Sequence, residues 1–457
     1  MQLRPYQNKM IEETRAYFQR GYRCVLNQAP TGAGKTLLTA SMLRTAQSRS
    51  IPSIFICHRR ELIKQTHLAF NDMNIHHGII GAGFPFSGRP MVTIASIQTL
   101  KNKLHRIRTP GLVVFDECHH QSAKSWDTVY KAFPDAYIIG LTATPQRLDG
   151  SGLGKYYPVM VQGPSVQELI DQGYLSPYKI FAPANVDISK VHTRMGDFVT
   201  SELASAIDKP TITGDAIKEY QKYANGKRAI VRGVSIEHSK HIAKQFNDAG
   251  IPASHVDGTT HHEIRDAVME SFRRGDTLIL SNVDLFSEGL DVPAVECVID
   301  LRPTKSLILW LQFCGRALRP MSGKTAIIID HAGNCQRHGL PCDDREWDLE
   351  GRDKKAKEDN GPMIRLCPQC FFACNSWRKE CPECKHQFVA QPREVDHKDG
   401  ELTEIDVHAI RKNKRMEEGR CKTLEELIEL GESRGYKKGW AHARWNARQG
   451  KVRVDQW

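Results

Sequence analysis

From Cys24 to about Gly140, short apolar runs (CVLNQAP, SIFICH, MVTIAS, LVVFDE, AYIIGLTATP) alternate with helix-length segments such as KTLLTASMLRTAQ and RELIKQTHLAF. Runs that are apolar on both faces read as the inner strands of a parallel sheet, and the helices between them as crossover connections. The pattern loosens from Asp149 to Asn225, where glycines and prolines (GSGLGKYYP, GYLSPYKIFAPAN) mark a connector with some helical content. It returns from Arg228 with AIVRGVS, IPASHV, TLILSNV, VECVIDL and TAIIID, again separated by helix-length stretches. The expected fold class is therefore α/β, with two tandem domains at 1–163 and 227–338 joined by a connector at 164–226. Past His331 the chain turns polar, and 339–362, containing DDREWDLEGRDKKAKEDNGP, reads as a solvated linker. A compact module at 363–390 and a tail at 391–457 with one helix, KTLEELIELGES, complete the chain, and no repeat is visible.

Composition narrows the partners more than the fold. At 457 residues the chain is too long for one core, and 40% hydrophobic with 26% charged residues is ordinary for a globular protein. No run approaches the roughly 18 apolar residues of a membrane span, and the opening MQLRPYQNKM has no apolar leader core, so no membrane partner and a cytosolic location are expected. The formal charge of +11 favours a polyanionic partner. Most of the thirteen cysteines stand singly in apolar runs, where a free thiol packs as a small hydrophobe.

Two motifs carry chemistry in the first domain. VLNQAPTGAGKT passes from a strand through a glycine-rich turn into a helix, the setting of a phosphate-binding loop, with Ala29 where the first glycine would stand. Gly32 and Gly34 let backbone N–H groups wrap phosphates, Lys35 can reach the β- and γ-phosphates of ATP, and Thr36 can ligate Mg²⁺. Downstream, LVVFDECHH at 112–120 ends a strand with two carboxylates. Asp116 is expected to hold Mg²⁺ through water and Glu117 to orient and deprotonate the attacking water. Standing alone, that pair would read as a solvated acidic strand end.

The ordered series of motifs over about 1–335 resembles the superfamily-2 helicases of the DExH type, which implies two RecA-like P-loop domains with an ATP site in the cleft between them. By that resemblance LRPYQ nominates Gln7 for adenine, while ICHRRELIKQ at 56–65 and TIASIQTL at 93–100 nominate Arg59 and Thr99 for the strand. GLTATP at 140–145 nominates Thr142 and Thr144, with His119, for coupling hydrolysis to movement. WLQFCGRALRP at 310–320 fits the family's Gln-x-x-Gly-Arg-x-x-Arg pattern, so Gln312, Arg316 and Arg319 share one helix face, with the arginines toward the γ-phosphate. SNVDLFSEGLDVP at 281–293 nominates Gly289 and Asp291 for the nucleotide and Ser281 and Asn282 for the nucleic acid. Cys118, His119, the TATP form and the leading Gln312 depart from the DEAD-box pattern, and RLDG at 147–150 resembles an element of the RecG, UvsW and XPB-like branch. These features favour DNA over RNA. QGPSVQELIDQGYLSPYKIFAP at 162–183 resembles helicase-like proteins of phages and prophages. The implied activity is ATP-driven translocation with unwinding, branch migration or fork remodelling. An ATP-gated DNA clamp or recruitment module, an RNA helicase and the motor of a restriction-type complex stay open as alternatives.

LCPQC and CPECKHQF place Cys367, Cys370, Cys381 and Cys384 in two Cys-Pro-x-Cys knuckles, a spacing suited to structural Zn²⁺ in a small zinc-ribbon-like module. From Ser433 the tail carries seven Lys and Arg against Asp455, interleaved with aromatic residues. Trp440 and Trp445 therefore stand either as stacking platforms for unpaired bases or as the apolar face of a docking helix. The module and the tail are also the places for a protein partner, and no oligomeric state is specified.

Overall fold

The computed structural model describes residues 3–85, 88–120, 124–147, 150–182, 191–194, 197–207, 210–283, 295–351, 364–388, 416–418, 420–434, 441–442 and 444–445. The chain divides into one compact unit at Met1–Val389 and a second at Ala390–Trp457.

The first sheet is built from α1 (Pro5–Gln19), β1 (Cys24–Gln28), α2 (Lys35–Ser48), β2 (Ser53–Cys57), α3 (Arg60–Asp72), β3 (His77–Ile80), β4 (Val92–Ser96), α4 (Ile97–Leu100), β5 (Leu112–Phe115), α5 (Lys124–Ala132), β6 (Tyr137–Thr142) and β7 (Val159–Gln162). Its order is β3-β4-β2-β5-β6-β1-β7, every pairing parallel. β2 and β5 are buried along their whole length, which is why they read as unbroken apolar runs. The chain order jumps between β1 and β2, so the loops after β1 and β5 open on the same carboxyl edge of the sheet, where such folds hold ligands.

The second sheet follows α6 (Val166–Asp171), β8 (Tyr178–Phe181), the short hairpin β9 (Thr193–Arg194) and β10 (Asp197–Phe198), α7 (Thr200–Ile207) and α8 (Pro210–Tyr223). It continues through β11 (Ala229–Arg232), α9 (Ile236–Asp248), β12 (Ala253–Val256), α10 (His262–Arg274), β13 (Ile279–Asn282), β14 (Cys297–Asp300), α11 (Leu307–Ala317), β15 (Ala326–Asp330) and α12 (Asn334–His338). The order is β12-β13-β11-β14-β15-β8, again all parallel.

The stretch 164–226, expected as a connector, thus supplies the edge strand β8, and Ala216, Tyr220 and Ala224 of α8 and the residues after it join the core against Phe181 and Phe246. Between these elements, adjacent residues hold the two halves together. Leu175 lies against the glycine-rich turn, while the Ser176 N–H donates to Leu318 O at 2.8 Å and its hydroxyl to Arg319 O at 3.1 Å.

The polar stretch after α12 also departs from expectation. Residues 341–351 return to the first domain instead of lying in solvent. Trp347 packs on the core, Leu349 joins the first domain's second apolar cluster, and the Gly154 N–H donates to Leu349 O at 2.8 Å. Gly152 accommodates this crossing, since a Cβ there would lie 2.0 Å from Leu349 O. The small module, with β16 (Ile364–Leu366) and β17 (Ala373–Asn375) antiparallel, then seats on β8 of the second domain. The Ala182 N–H donates to Phe371 O at 3.0 Å, Tyr223 OH donates to Cys370 O at 2.9 Å, and Lys179 pairs with Glu383 at 2.7 Å.

In the second unit, α13 (Leu424–Ser433) starts at Thr423, whose hydroxyl accepts from the Glu426 N–H while the Glu426 carboxylate accepts from the Thr423 N–H. Trp445 is helical and half-buried there, whereas Trp440 lies outside the described residues. Among the described residues no helix is long and apolar enough to cross a membrane.

Candidate functional site

The glycine-rich turn has the backbone that its sequence demands. Gly32 and Gly34 take φ of +87° and +75°, the left-handed region that a Cβ disfavours. A side chain would also displace its neighbours: a Cβ at Gly32 would lie 2.8 Å from Leu175 Cδ2, and one at Gly34 would lie 2.7 Å from Gln7 Nε2. Lys35 opens α2 and folds back over the loop, donating to Ala29 O at 3.2 Å. Its ammonium stands 3.9 Å from Glu117 Oε1.

Asp116 and Glu117 follow β5, and Glu117 sits at φ +48°, an uncommon conformation for a residue with a side chain and one that recurs at functional sites. Burial and the adjacent Glu117 charge push the Asp116 carboxyl up to about 7, with Lys35 and His58 opposing. A buried carboxylate beside another is hard-oxygen donor chemistry, the kind that suits Mg²⁺. From Glu117 a buried polar path leads away: His119 Nδ1 lies 3.4 Å from Glu117 Oε2 and 3.2 Å from Thr142 Oγ1. The Thr142 hydroxyl donates to Thr144 O at 2.8 Å and accepts the Thr144 N–H at 3.1 Å, and Gln28 Nε2 donates to Ala143 O at 2.9 Å. Lys35, Glu117, His119, Thr142 and Thr144 are therefore one contiguous assembly.

The second domain meets this turn through α11. Gly315 faces Thr31 so closely that a Cβ would stand 2.7 Å from Thr31 Cβ. Gln312 and Arg316 are buried on that helix, and neither end of the Gln312 amide has a hydrogen-bond partner among the described residues. Burial lowers the Arg319 guanidinium to about 10, which leaves it cationic at neutral pH. A cavity of about 430 Å³ occupies the seam, lined by Pro30, Thr31, Ala143, Leu311 and Gly315 and closed by Asp343–Trp347 of the returning strap.

The other nominated residues differ in their surroundings. Gln7 is 1% exposed, with its amide nitrogen donating to Ala33 O and Gly34 O, each at 3.2 Å, and its oxygen accepting the Arg4 N–H at 2.9 Å. It braces the turn from behind. Beside it, Arg4 lies 4.3 Å over the Tyr174 ring and Tyr6 OH donates to Ala33 O at 2.6 Å, two residues that sequence reasoning passed over. Ser281 and Asn282, nominated for the nucleic acid, are 0% and 1% exposed. Ser281 bonds Ser239 Oγ at 2.7 Å and Asn282 donates to Val231 O at 3.0 Å, so both sit inside the domain because β13 is a central strand. Gly289 and Asp291 lie outside the described residues. Arg59 and Thr99 are half-buried at the starts of α3 and within α4. The 56–65 segment borders a second interdomain cavity of about 510 Å³ lined by Arg60, Lys64, Gln65, Arg265 and Arg273. There Arg265 Nη1 bridges to Glu61 Oε1 at 2.7 Å.

Sequence reasoning also missed the buried pair below α11. Arg232 and Asp300, at the ends of β11 and β14, are joined twice, at 3.0 and 2.6 Å, and Asn334 Nδ2 donates to Asp300 Oδ2 at 2.9 Å. A lone arginine inside AIVRG and an aspartate ending CVID were the available signal.

The four knuckle thiols Cys367, Cys370, Cys381 and Cys384 all lie within 4.8 Å of one another. Cys367 to Cys384 and Cys370 to Cys381 are 3.5 and 3.6 Å apart, close to the roughly 3.8 Å edge of a tetrahedron with 2.3 Å Zn–S bonds. Four sulfur donors at such spacing fit a closed zinc site.

Residues 1–147 match the family described as "Type III restriction enzyme, res subunit", and residues 211–321 match "Helicase conserved C-terminal domain". A protein of a Lactococcus phage, named only as a 51.5 kDa protein, is 37% identical over 368 residues, covering 80% of this chain and 78% of its own. The DNA 3'-5' translocase XPB2 of Sulfurisphaera tokodaii is 26% identical over 376 residues, covering 72% of this chain and 81% of its own. In structure, a fragment of an HsdR subunit of a type I restriction enzyme from Vibrio vulnificus superposes with a TM-score of 0.59 at 21% identity, over 76% of this chain and 67% of that one. With both family halves in order on two parallel sheets, and the loop of one meeting the arginine helix of the other, the chain belongs to the superfamily-2 helicases and is an ATP-dependent enzyme of that type.

Proposed function

We propose that this chain is a DNA-directed motor whose ATP hydrolysis depends on closure of its two domains. The observation that carries the reading is the unbroken assembly from Lys35 through Glu117 and His119 to Thr142 and Thr144, with α11 packed on the same loop at Thr31. Lys35 and the backbone of the turn would hold the phosphates, and Thr36 and Asp116 would hold Mg²⁺, which would supply charge neutralisation there. Glu117 accepts the proton of the attacking water, with its carboxylate 3.9 Å from the Lys35 ammonium. Arg316 and Arg319 bring positive charge from the second domain as charge develops on the leaving phosphates. His119 and Thr142 pass the state of Glu117 to the 142–144 turn, so hydrolysis and domain movement share one path.

DNA as the track is supported by the formal charge of +11, the departures from the DEAD-box pattern and the likeness to a DNA translocase. The likeness to a phage protein suits work in a bacterial host. The module of four cysteines is read as structural zinc, since four sulfurs leave no open coordination position.

Phosphate release by the purified protein, measured with single-stranded DNA, duplex, forked DNA, RNA and no nucleic acid, tests the reading. Stimulation by DNA is expected; stimulation by RNA alone would reject the DNA assignment. Lys35→Ala is expected to abolish nucleotide binding. Glu117→Gln is expected to keep binding and lower turnover by about a hundredfold or more; normal turnover in that variant would reject Glu117 as the base.

A further inference from the structure

The cysteine module leaves one face uncovered and charged. Trp377, in the turn between β17 and the second knuckle, is 71% exposed, more than any other large hydrophobic among the described residues. Its indole therefore contributes little to the module's small core. The Arg378 guanidinium lies 5.0 Å over the ring, which leaves the other face open. Arg365 reaches round from β16 to donate to Arg378 O at 3.3 Å and covers Phe388 at 4.8 Å. Arg378 and Lys379 are both exposed.

Among the described residues, charge on this face is uncompensated. The module's two carboxylates are already matched, Glu383 to Lys179 at 2.7 Å and Glu380 to Lys385 at 3.7 Å. Among the described residues Arg365, Arg378 and Lys379 have no carboxylate at ion-pair distance. An open indole face beside three unmatched cations matches the repeat of an unpaired strand, a flat base followed by a phosphate. An acidic peptide would answer the charge and offer nothing flat to the ring.

We propose that this face grips an unpaired nucleic-acid strand, with Trp377 stacking on a base and Arg365, Arg378 and Lys379 meeting phosphates. Stacking tolerates any base, which suits a motor that must pass over every sequence. The face belongs to the same compact unit as both sheets and is tied to β8 through Phe371, Phe372 and Cys370. A strand held here would be held by the second domain. The inference rests on the reading of the chain as a nucleic-acid motor.

The test uses the full-length, zinc-loaded protein and fluorescein-labelled single strands of DNA and of RNA, with anisotropy measured against salt. Trp377→Ala is expected to weaken binding about fivefold or more on both strands, and Trp377→Phe to keep most of it. Arg378→Ala with Lys379→Ala is expected to flatten the slope of log affinity against log salt by about 0.7 for each phosphate contact removed. Zinc content, melting midpoint and ATP turnover without nucleic acid should not move in any of the three. Wild-type affinity in Trp377→Ala together with an unchanged salt slope in the arginine–lysine variant overturns the proposal. So does a loss of binding that tracks a loss of zinc or of melting midpoint, since Trp377 would then be holding the turn. Wild-type protein that binds no strand and is stimulated by none removes the motor reading itself, and this proposal with it.

Discussion

His331 follows β15 with its ring buried, both ring nitrogens lacking a hydrogen-bond partner among the described residues. Burial lowers its pKa to about 4, with the charges of Asp215 and Asp300 opposing. The unfolded chain takes up this proton below the ordinary value of about 6.5, whereas the folded chain resists until about 4. Stability is therefore complete above pH 6.5 and declines as the pH falls toward 4, by up to about 3 kcal/mol. Urea denaturation of wild type and His331→Leu should diverge over that window, with the variant flatter; parallel curves would reject the assignment. Single residues were unevenly legible. Lys35 could be nominated because its motif is local, a strand end and a turn, and Glu117 because its strand-end pair follows that motif along the chain. Gln7 could be found but not placed, because its bracing of Gly34 joins residues 27 apart. The Arg232–Asp300 pair spans 68 residues and exists only because β11 and β14 are neighbours.

At the scale of elements, α11 decides how the halves meet. Its periodicity was readable only in part: Gln312 and Arg316 lie one turn apart on the helix, whereas the helix ends at Ala317 and Arg319, expected on the same helical face, stands past that end. The helix's opposite partner was not readable, because Thr31 lies in another domain. The close approach at Gly315 gives a direct test of closure: Gly315→Val should wedge α11 from the loop, lowering DNA-stimulated phosphate release by about tenfold or more. Binding of a fluorescent ATP analogue should change much less. Unaltered stimulation would show that the halves need not meet there. β8 was the least legible strand, because GYLSPYKIFAPAN carries prolines on both sides and reads as a loop. An edge strand tolerates such flanks, since only one side of it enters a ladder.

Across the whole first unit, the chain leaves the second domain after α12, crosses to the first at Trp347 and Leu349, and returns to the second at β8 through the cysteine module. The strap binds the halves along the rim of the cavity between the glycine-rich turn and α11, and the module lies beyond it on β8. Zinc is expected at one equivalent per chain, and its removal should unseat the module and expose the edge of the second sheet. A strong chelator should then lower the melting midpoint of the unit by several degrees, not only release a small domain. An unmoved midpoint with zinc removed would show the module to be independent of the sheet it touches. The polar stretch 341–351 was misjudged for a physical reason: two apolar residues among many charges are too few to signal burial, yet they suffice once a preformed surface receives them.

Local interactions let the sequence alone determine the two parallel sheets, the glycine-rich turn, the strand-end carboxylates, the placing of Gln312 and Arg316 on α11 and the two cysteine knuckles. Each depends on spacing within about a dozen residues, where the periods of helix and strand and the conformational freedom of glycine govern. Tertiary structure alone decided that Gly315 meets Thr31, that Ser281 and Asn282 are interior, that the connector completes the second sheet, and that Trp377 stands open beside unmatched arginines. Those outcomes follow from which surfaces pack together, and a residue's burial or exposure is a property of its neighbours in space.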